Sequence, residues 1–259
     1  MLVDLHVYTN VSGGFALPRA IDDARQAGLD AICVADRQAS QEVAQAVLDG
    51  ATGDFPVFLG VELPTRVGDV LVIVPAVDPF YSREEWKQVE ALQRPSLSDV
   101  QQLAEREGGV VLITHPYDRA RKTALRDRVF AVRSAAGIEL ATGGADERSN
   151  ALSVEAVSHA ALPSFAGSAA RKNAARGRWA TLFAEEFATQ EGLVAALRSG
   201  NFWPVEVVEP GPAPSRGGGR GGPRGDRGDR GDRGDRGSRG GGGGRSERGG
   251  DGRRGGRRR

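Results

Sequence analysis

Met1-Leu2-Val3-Asp4-Leu5-His6-Val7-Tyr8-Thr9 opens the chain as an apolar strand that ends in polar, chemistry-bearing side chains. Six further β-rich runs follow, at 31–35, 57–63, 70–74, 110–114, 138–141 and 164–166. Helical spacing fills several of the gaps, at 18–27, 41–48, 97–106 and 147–160. Pro18 suits a first helical turn and Gly28 a C-terminal stop, while Ser96 and Ser98 offer caps for the third helix. Strands alternating with helices imply βαβ units, an α/β class and a mainly parallel sheet. Seven such strands in about 200 residues suit an incomplete or distorted (β/α)7 barrel, and the pattern alone leaves a doubly wound sheet open.

A second region begins near Pro210. The segment 203–208 reads as a last strand or edge. Pro210-Gly211-Pro212-Ala213-Pro214-Ser215 is a linker, and only Gly, Arg, Asp, Ser and a few other small or polar residues follow. Such a composition cannot bury enough apolar surface to offset the entropy of ordering. The expected organisation is therefore a folded body over 1–208 and a disordered Arg/Gly-rich tail over 209–259. Of 35 basic and 34 acidic residues, 15 Arg and 6 acids lie beyond Pro210, so a tail of +9 faces a body of −8 and the net +1 conceals the contrast.

Arg-Gly-Gly boxes start at Arg216, Arg220 and Arg248, Arg-Gly-Asp triplets at Arg224, Arg227, Arg230 and Arg233, and the chain closes on Arg253, Arg254, Arg257, Arg258 and Arg259. The tail resembles the RGG segments of RNA-binding proteins. Guanidinium groups release counterions from phosphates and stack on exposed bases, so RNA or single-stranded DNA is the expected partner. No aromatic is interleaved, and the Asp residues cancel part of the charge, so binding should be weak, sequence-tolerant and salt-sensitive. A tail folding onto its own acidic body, or onto a neighbour's, is the competing expectation. The single cysteine, Cys33, excludes an internal disulfide framework. With no leader pattern and no apolar run long enough to span a bilayer, a cytoplasmic location without membrane contact is expected.

In an α/β barrel, chemistry collects at the C-terminal strand ends. Those positions hold His6 and Tyr8, Asp36 and Arg37, Glu62, Asp69 (which enters the fourth run), His115, Glu139, and Ser168 to Arg171. Two of the three histidines fall there. His159 lies in a helix and reads as structural, while Cys33, Trp179, Phe183 and Phe187 read as core.

Asp4-Leu5-His6-Val7-Tyr8-Thr9 with Ser12-Gly13-Gly14 resembles the opening Asp-Leu-His-x-His-Thr…Ser-Asp-Gly of the PHP (polymerase and histidinol phosphatase) superfamily. Ala24-x-x-Ala27-Gly28-Leu29-Asp30-Ala31-Ile32 continues the likeness. Ala35-Asp36-Arg37 stands for Thr-Asp-His, Gly60-Val61-Glu62 for Gly-x-Glu, Thr114-His115-Pro116 for Ala-His-Pro, and Gly167-Ser168-Ala169-Ala170-Arg171 for Gly-Ser-Asp-Ala-His. Ile138-Glu139 with Asn150-Ala151 is similar to the segment before that last motif. The resemblance spans residues 2 to 208. It implies a distorted barrel of PHP type binding two or three divalent metals for phosphoester hydrolysis.

The departures remove most of that site. Tyr8, Gly13, Arg37, Ala169 and Arg171 stand where the resemblance implies ligands, leaving His6, Glu62, His115 and Asp69 as residual donors. Arg37 and Arg171 bring fixed charge and cannot ligate, so they are expected to neutralise Glu62, Asp36 or Asp69. A catalytically degenerate domain without a cofactor follows, acting as scaffold or phosphate-ligand module. Arg37, Arg171, Lys172, Arg119, Arg121 and Lys122 are the candidate phosphate contacts. The alternatives are an active Zn²⁺- or Mn²⁺-dependent phosphoesterase or 5′–3′ exonuclease with an atypical site, and a protein-interaction scaffold that self-associates through the tail.

Overall fold

A computed structural model describes residues 1–49, 55–132, 134–169, 171 and 179–207. The tail over 209–259 and Lys172 lie outside the described residues. Residues Met1–Gly211 form one compact unit. Its strands are β1 (Leu2–Val7), β2 (Ala31–Asp36), β3 (Val57–Pro64), β4 (Asp69–Ile73), β5 (Val110–Thr114), β6 (Gly137–Thr142), β7 (Ser164–Gly167), β8 (Trp179–Phe183) and β9 (Phe202–Glu206). The helices are α1 (Leu17–Gln26), α2 (Gln41–Asp49), α3 (Val77–Phe80), α4 (Glu84–Ala91), α5 (Leu97–Arg106), α6 (Glu147–His159) and α7 (Gln190–Ser199). Ser96 caps α5 as expected, accepting from the Asp99 amide at 3.1 Å.

The strands make one sheet in the order β7-β6-β5-β4-β3-β2-β1-β8-β9, curled into a nearly closed barrel. The expectation of a mainly parallel sheet needs correction. Pairs β1–β2, β2–β3, β5–β6 and β6–β7 are parallel, but β3–β4, β4–β5, β1–β8 and β8–β9 are antiparallel. The reason for the first reversal is the linker length. A parallel crossover needs a dozen or more residues, whereas only the turn from Thr65 to Gly68 joins β3 to β4. Thr65 Oγ1 accepts from the Gly68 amide at 3.1 Å, and Gly68 lies so close to Leu125 that a Cβ would stand 1.4 Å from its Cδ1.

The sequence pattern also missed β8 and α7. Helix α7 carries Gly192 in its first turn, which weakens the helical signal, but any Cβ there would approach Phe187 Cβ to 2.8 Å. Its first residue, Gln190, is buried and ties two strands together. The side-chain amide accepts from Leu59 N at 3.1 Å and donates to Leu59 O at 2.7 Å and Val74 O at 3.1 Å.

Alternation along the strands sorts the core into two layers. Ile32, Val34, Leu59, Val61, Val70 and Val72 face the helices. Leu5, Cys33, Phe58, Leu71, Ile73, Leu112 and Phe165 fill the interior, where Phe183 joins them. Burial pushes the Cys33 thiol pKa up, as befits a core residue.

Side chains draw β7 towards β1 and β8. Asp4 Oδ1 accepts from His6 N at 3.0 Å and Ser168 N at 2.9 Å. Thr181 Oγ1 accepts from Ala166 N at 3.1 Å and donates to Ala166 O at 2.8 Å. One buried hydroxyl thus replaces a rung of the ladder. Thr181→Val should leave both Ala166 groups unpaired and lower unfolding free energy by about 1–3 kcal/mol, read by urea denaturation. An unchanged midpoint would show that the barrel closes without this clasp.

Candidate functional site

Strand geometry explains which polar residues meet. In β3, Phe58, Gly60 and Glu62 share the inward face. Gly60 is required by crowding, since a Cβ would lie 2.7 Å from Leu71 Cδ1. Because β4 runs antiparallel, its first residue, Asp69, pairs with Pro64 and Thr114 and reaches the same end of the barrel as Glu62. His6, Glu139 and His115 arrive from β1, β6 and the residue after β5. His115 has φ 48°, a left-handed conformation costing about 1–3 kcal/mol, and its amide is held by Glu139 Oε2 at 2.7 Å.

These groups surround the Tyr8 hydroxyl. It donates to Glu62 Oε2 at 2.8 Å and lies 3.0 Å from His6 Nε2 and 3.2 Å from His115 Nε2. Arg121 Nη2 donates to it at 2.8 Å. Arg121 Nη1 reaches Asp69 Oδ2 at 2.5 Å and both Glu62 oxygens at 3.3 Å, and Nε is 3.4 Å from Asp118 Oδ2. Thr114 Oγ1 donates to Glu62 Oε1 at 3.1 Å. Tyr8, His6, Glu62, Asp69, His115, Thr114 and Glu139 are all buried.

The electrostatics follow from that enclosure. Burial opposes the charged form of His6, but Tyr8, Glu139 and Glu62 outweigh it and raise the pKa well above the ordinary value. Burial likewise opposes ionisation of Glu62 and Glu139, yet hydrogen bonds and charge from His115 and His6 hold Glu62 well below the usual carboxylate range. The charges on His6 and His115 lower Glu139 too. Burial also disfavours charge on Arg121, and Glu62, Tyr8 and Asp69 more than reverse this. The Tyr8 phenol is raised, chiefly by burial.

The structure redistributes the roles expected of the arginines. Asp36 is not an orphan, because Thr9 N donates to it at 2.9 Å and Thr9 Oγ1 donates to its other oxygen. Arg121, rather than Arg37 or Arg171, is the principal partner of Glu62 and Asp69. Arg37 has a side chain 46% exposed and stands 3.6 Å from Glu62 and 3.9 Å from Asp69. Arg171 is exposed and lays its guanidinium 4.7 Å over the Tyr8 ring, a cation–π contact. Arg119 and Lys122 are exposed on the loop that carries Arg121. His159 is exposed at the end of α6 and takes no part.

Sequence reasoning placed Glu139 at a strand end but gave it no role. It is nevertheless the second carboxylate of the cluster, 2.8 Å from His6 Nδ1. A charged residue inside the apolar run Gly137-Ile138-Glu139-Leu140 was the available signal. Asp118 carries no comparable mark.

His6, His115 and Glu139 present ligand-type atoms within 4.8 Å of one another. The donor set nevertheless does not fit the two-metal centre implied by the resemblance. Both imidazole Nε2 atoms and Glu62 converge on the Tyr8 hydroxyl at hydrogen-bond distances, where metal bonds would be about 2.0–2.2 Å. The Arg121 guanidinium lies between Glu62 and Asp69. A phenol and a guanidinium thus occupy the space among these side chains.

No family model matches the sequence, and among curated proteins none matches it. Solved structures do match. PsfC from Pseudomonas syringae PB-5123 aligns with a TM-score of 0.57 at 18% identity, over 79% of this chain and 91% of that one. A "putative metal-dependent phosphoesterase" from Bifidobacterium adolescentis ATCC 15703 aligns with 0.51 at 15% identity, over 75% and 95%. An amidohydrolase from Chromobacterium violaceum, solved with bound sulfate and no metal, aligns with 0.50 at 17% identity, over 64% and 86%. At such identities the likeness shows the fold alone.

The charge pattern sets a pH window. A raised folded-state pKa stabilises while the group is protonated, so the His6 contribution is complete below its ordinary 6.5 and lost as pH climbs through the folded value. The lowered Glu62 and Glu139 contribute fully above 4.5 and lose this as pH falls through their folded values. Melting temperature should therefore peak between about pH 5 and 6, and His6→Gln should flatten the alkaline side. An alkaline limb identical in the variant would contradict the His6 assignment.

Proposed function

We propose that the chain is a PHP-type barrel that has given up metal-dependent phosphoester hydrolysis and serves as a scaffold or ligand-binding module, joined to a tail that binds RNA or single-stranded DNA. The observation that carries this reading is the Tyr8 hydroxyl, enclosed by His6, His115, Glu62 and Arg121. Metal-assisted hydrolysis needs an open coordination position and an activated water. Here the space between the imidazoles is filled by a phenol, and the neighbouring acids are neutralised by a guanidinium. The exposed Arg37 and Arg171 are the groups that a phosphate ligand would meet first, whereas Arg121 is already engaged by four side chains.

Elemental analysis of the purified full-length protein after dialysis with Zn²⁺ and Mn²⁺ tests the central claim. The expected result is far less than one ion per chain and no turnover of model phosphoesters. One tightly held ion with hydrolysis would establish the atypical phosphoesterase instead.

The tail reading rests on sequence chemistry and has its own test. Fluorescence anisotropy with a labelled single-stranded RNA should show affinity falling steeply with salt. Replacing Arg253, Arg254, Arg257, Arg258 and Arg259 with Ser should lower the log–log salt slope by about 0.7 for each phosphate that is no longer neutralised. A slope unmoved by these replacements would remove the extreme C-terminus from the binding surface.

A further inference from the structure

Within an acidic body, the loop between β5 and β6 stands apart. From Arg119 to Phe130 it holds five cations (Arg119, Arg121, Lys122, Arg126 and Arg128) and one acid, Asp127, whereas the body as a whole carries −8. We infer that this loop is a second nucleic-acid surface, on the folded body itself. It takes the phosphates of a single strand on Lys122, Arg126 and Arg128, and stacks a base on Phe130. The inference rests on the reading of the tail as a binder of RNA or single-stranded DNA, and extends it to the barrel.

The first support is how the loop sorts its side chains. Leu125 and Val129 are buried and pack with Ile138, Ala156 and Val157 beneath the loop. Arg121 turns inward to Glu62 and Asp69. Lys122, Arg126 and Arg128 instead face water, and among the described residues none of them forms an ion pair. The acid of the segment is already engaged, because Tyr117 Oη donates to Asp127 Oδ1 at 3.0 Å. Arg119 is the weaker candidate, since its amide donates to Ser149 Oγ at 3.2 Å, beside the acids Asp146 and Glu147 at the start of α6.

The second support is the backbone that presents these cations. Arg126 N donates to Pro116 O at 2.7 Å and Arg128 N to Leu125 O at 3.3 Å, so the loop is closed on itself. Arg128 Nε donates to Leu125 O as well, at 3.2 Å. Arg126 adopts φ 53°, a left-handed conformation that glycine takes more easily. The loop thus keeps a charged side chain where the turn itself calls for none. Cations already held in place lose less freedom when a phosphate arrives.

The third is the ring of Phe130, 41% exposed at the end of the same loop. A face that served only for solubility would need charge but no phenyl group. Unpaired bases offer their flat faces to such a ring, which duplex bases do not. An anionic membrane fits less well. Lying in its interface calls for an amphipathic helix with a broad apolar face, and Arg126–Ala131 is a 3₁₀ turn of 6 residues.

The test uses full-length protein, a labelled oligouridine and fluorescence anisotropy over a range of salt. It compares wild type, Lys122→Gln/Arg126→Gly/Arg128→Gln, Phe130→Ser, and the variant with the five terminal arginines replaced by Ser. The loop triple variant should lower the log–log salt slope by about 0.7 for each phosphate released, in the wild-type tail and in the altered tail alike. Phe130→Ser should weaken binding about fivefold or more at an unchanged slope, the mark of stacking rather than charge. Loop variants that melt and bind like wild type, while the tail variant loses affinity, overturn the inference and leave the tail reading intact. Wild type that fails to bind oligouridine at low salt overturns both. Phosphatidylserine vesicles that bind with greater dependence on the loop than oligouridine does would also overturn it, by giving the surface to a membrane. Should the triple variant fail to fold, Lys122→Gln and Phe130→Ser, each at an exposed position, decide the matter by the same two readouts.

Discussion

Glu62 loses its water entirely, and that constraint organises everything around it. An ionised carboxylate in such a place persists only with opposite charge and full hydrogen bonding. Thr114, Tyr8 and Arg121 supply direct contacts, His6 supplies charge within 3.5 Å, and His115 Nε2 stands 3.3 Å away. Removing any one partner would leave an uncompensated group behind, a larger penalty than the absence of one pairwise attraction. The cluster is better described as one cooperative unit than as a set of separate pairs.

Within that unit the tyrosine and the arginine divide the work. The hydroxyl of Tyr8 has a size and position that let both imidazoles and the carboxylate approach a common point. The guanidinium of Arg121 contributes the positive charge that a phenol lacks. Neither alone would do, since a phenol cannot neutralise Asp69 and a guanidinium does not reach the histidines. Glu139 holds the His6 ring through Nδ1 and accepts from the backbone amide of His115.

Much of the barrel was readable because its seven original strands are short, apolar and separated by turn signals. Some of their terminal residues were readable too: His6 and His115 stand within 3.5 Å of Glu62, and Asp69 is linked to it through Arg121. Pairing direction was less legible. The hairpin at Thr65–Gly68 reverses β4 through side-chain and packing contacts that have no strong local signature, and β8 is a short segment whose aromatics looked like packing residues. The identity of the compensating cation was hidden for a different reason. Arg37, Arg119, Arg121 and Arg171 are chemically equivalent in sequence, and only loop geometry decides which one turns inward. Asp36 looked unpaired for the same reason, because its partner Thr9 is brought to it by the end of β1.

The reversal of β4 also bears on how the chain assembles itself. Glu62, Asp69, Thr114 and Arg121 all belong to one stretch of consecutive chain, β3 to the loop after β5, whereas His6 finds Glu139 across 133 residues. Closing short loops costs less entropy than joining distant ends. The two acids that repel each other and the cation that reconciles them thus travel together as a single inherited segment. That segment carries a cation for its own acids into the barrel, and His6 adds a further partner to Glu62 when the first strand joins.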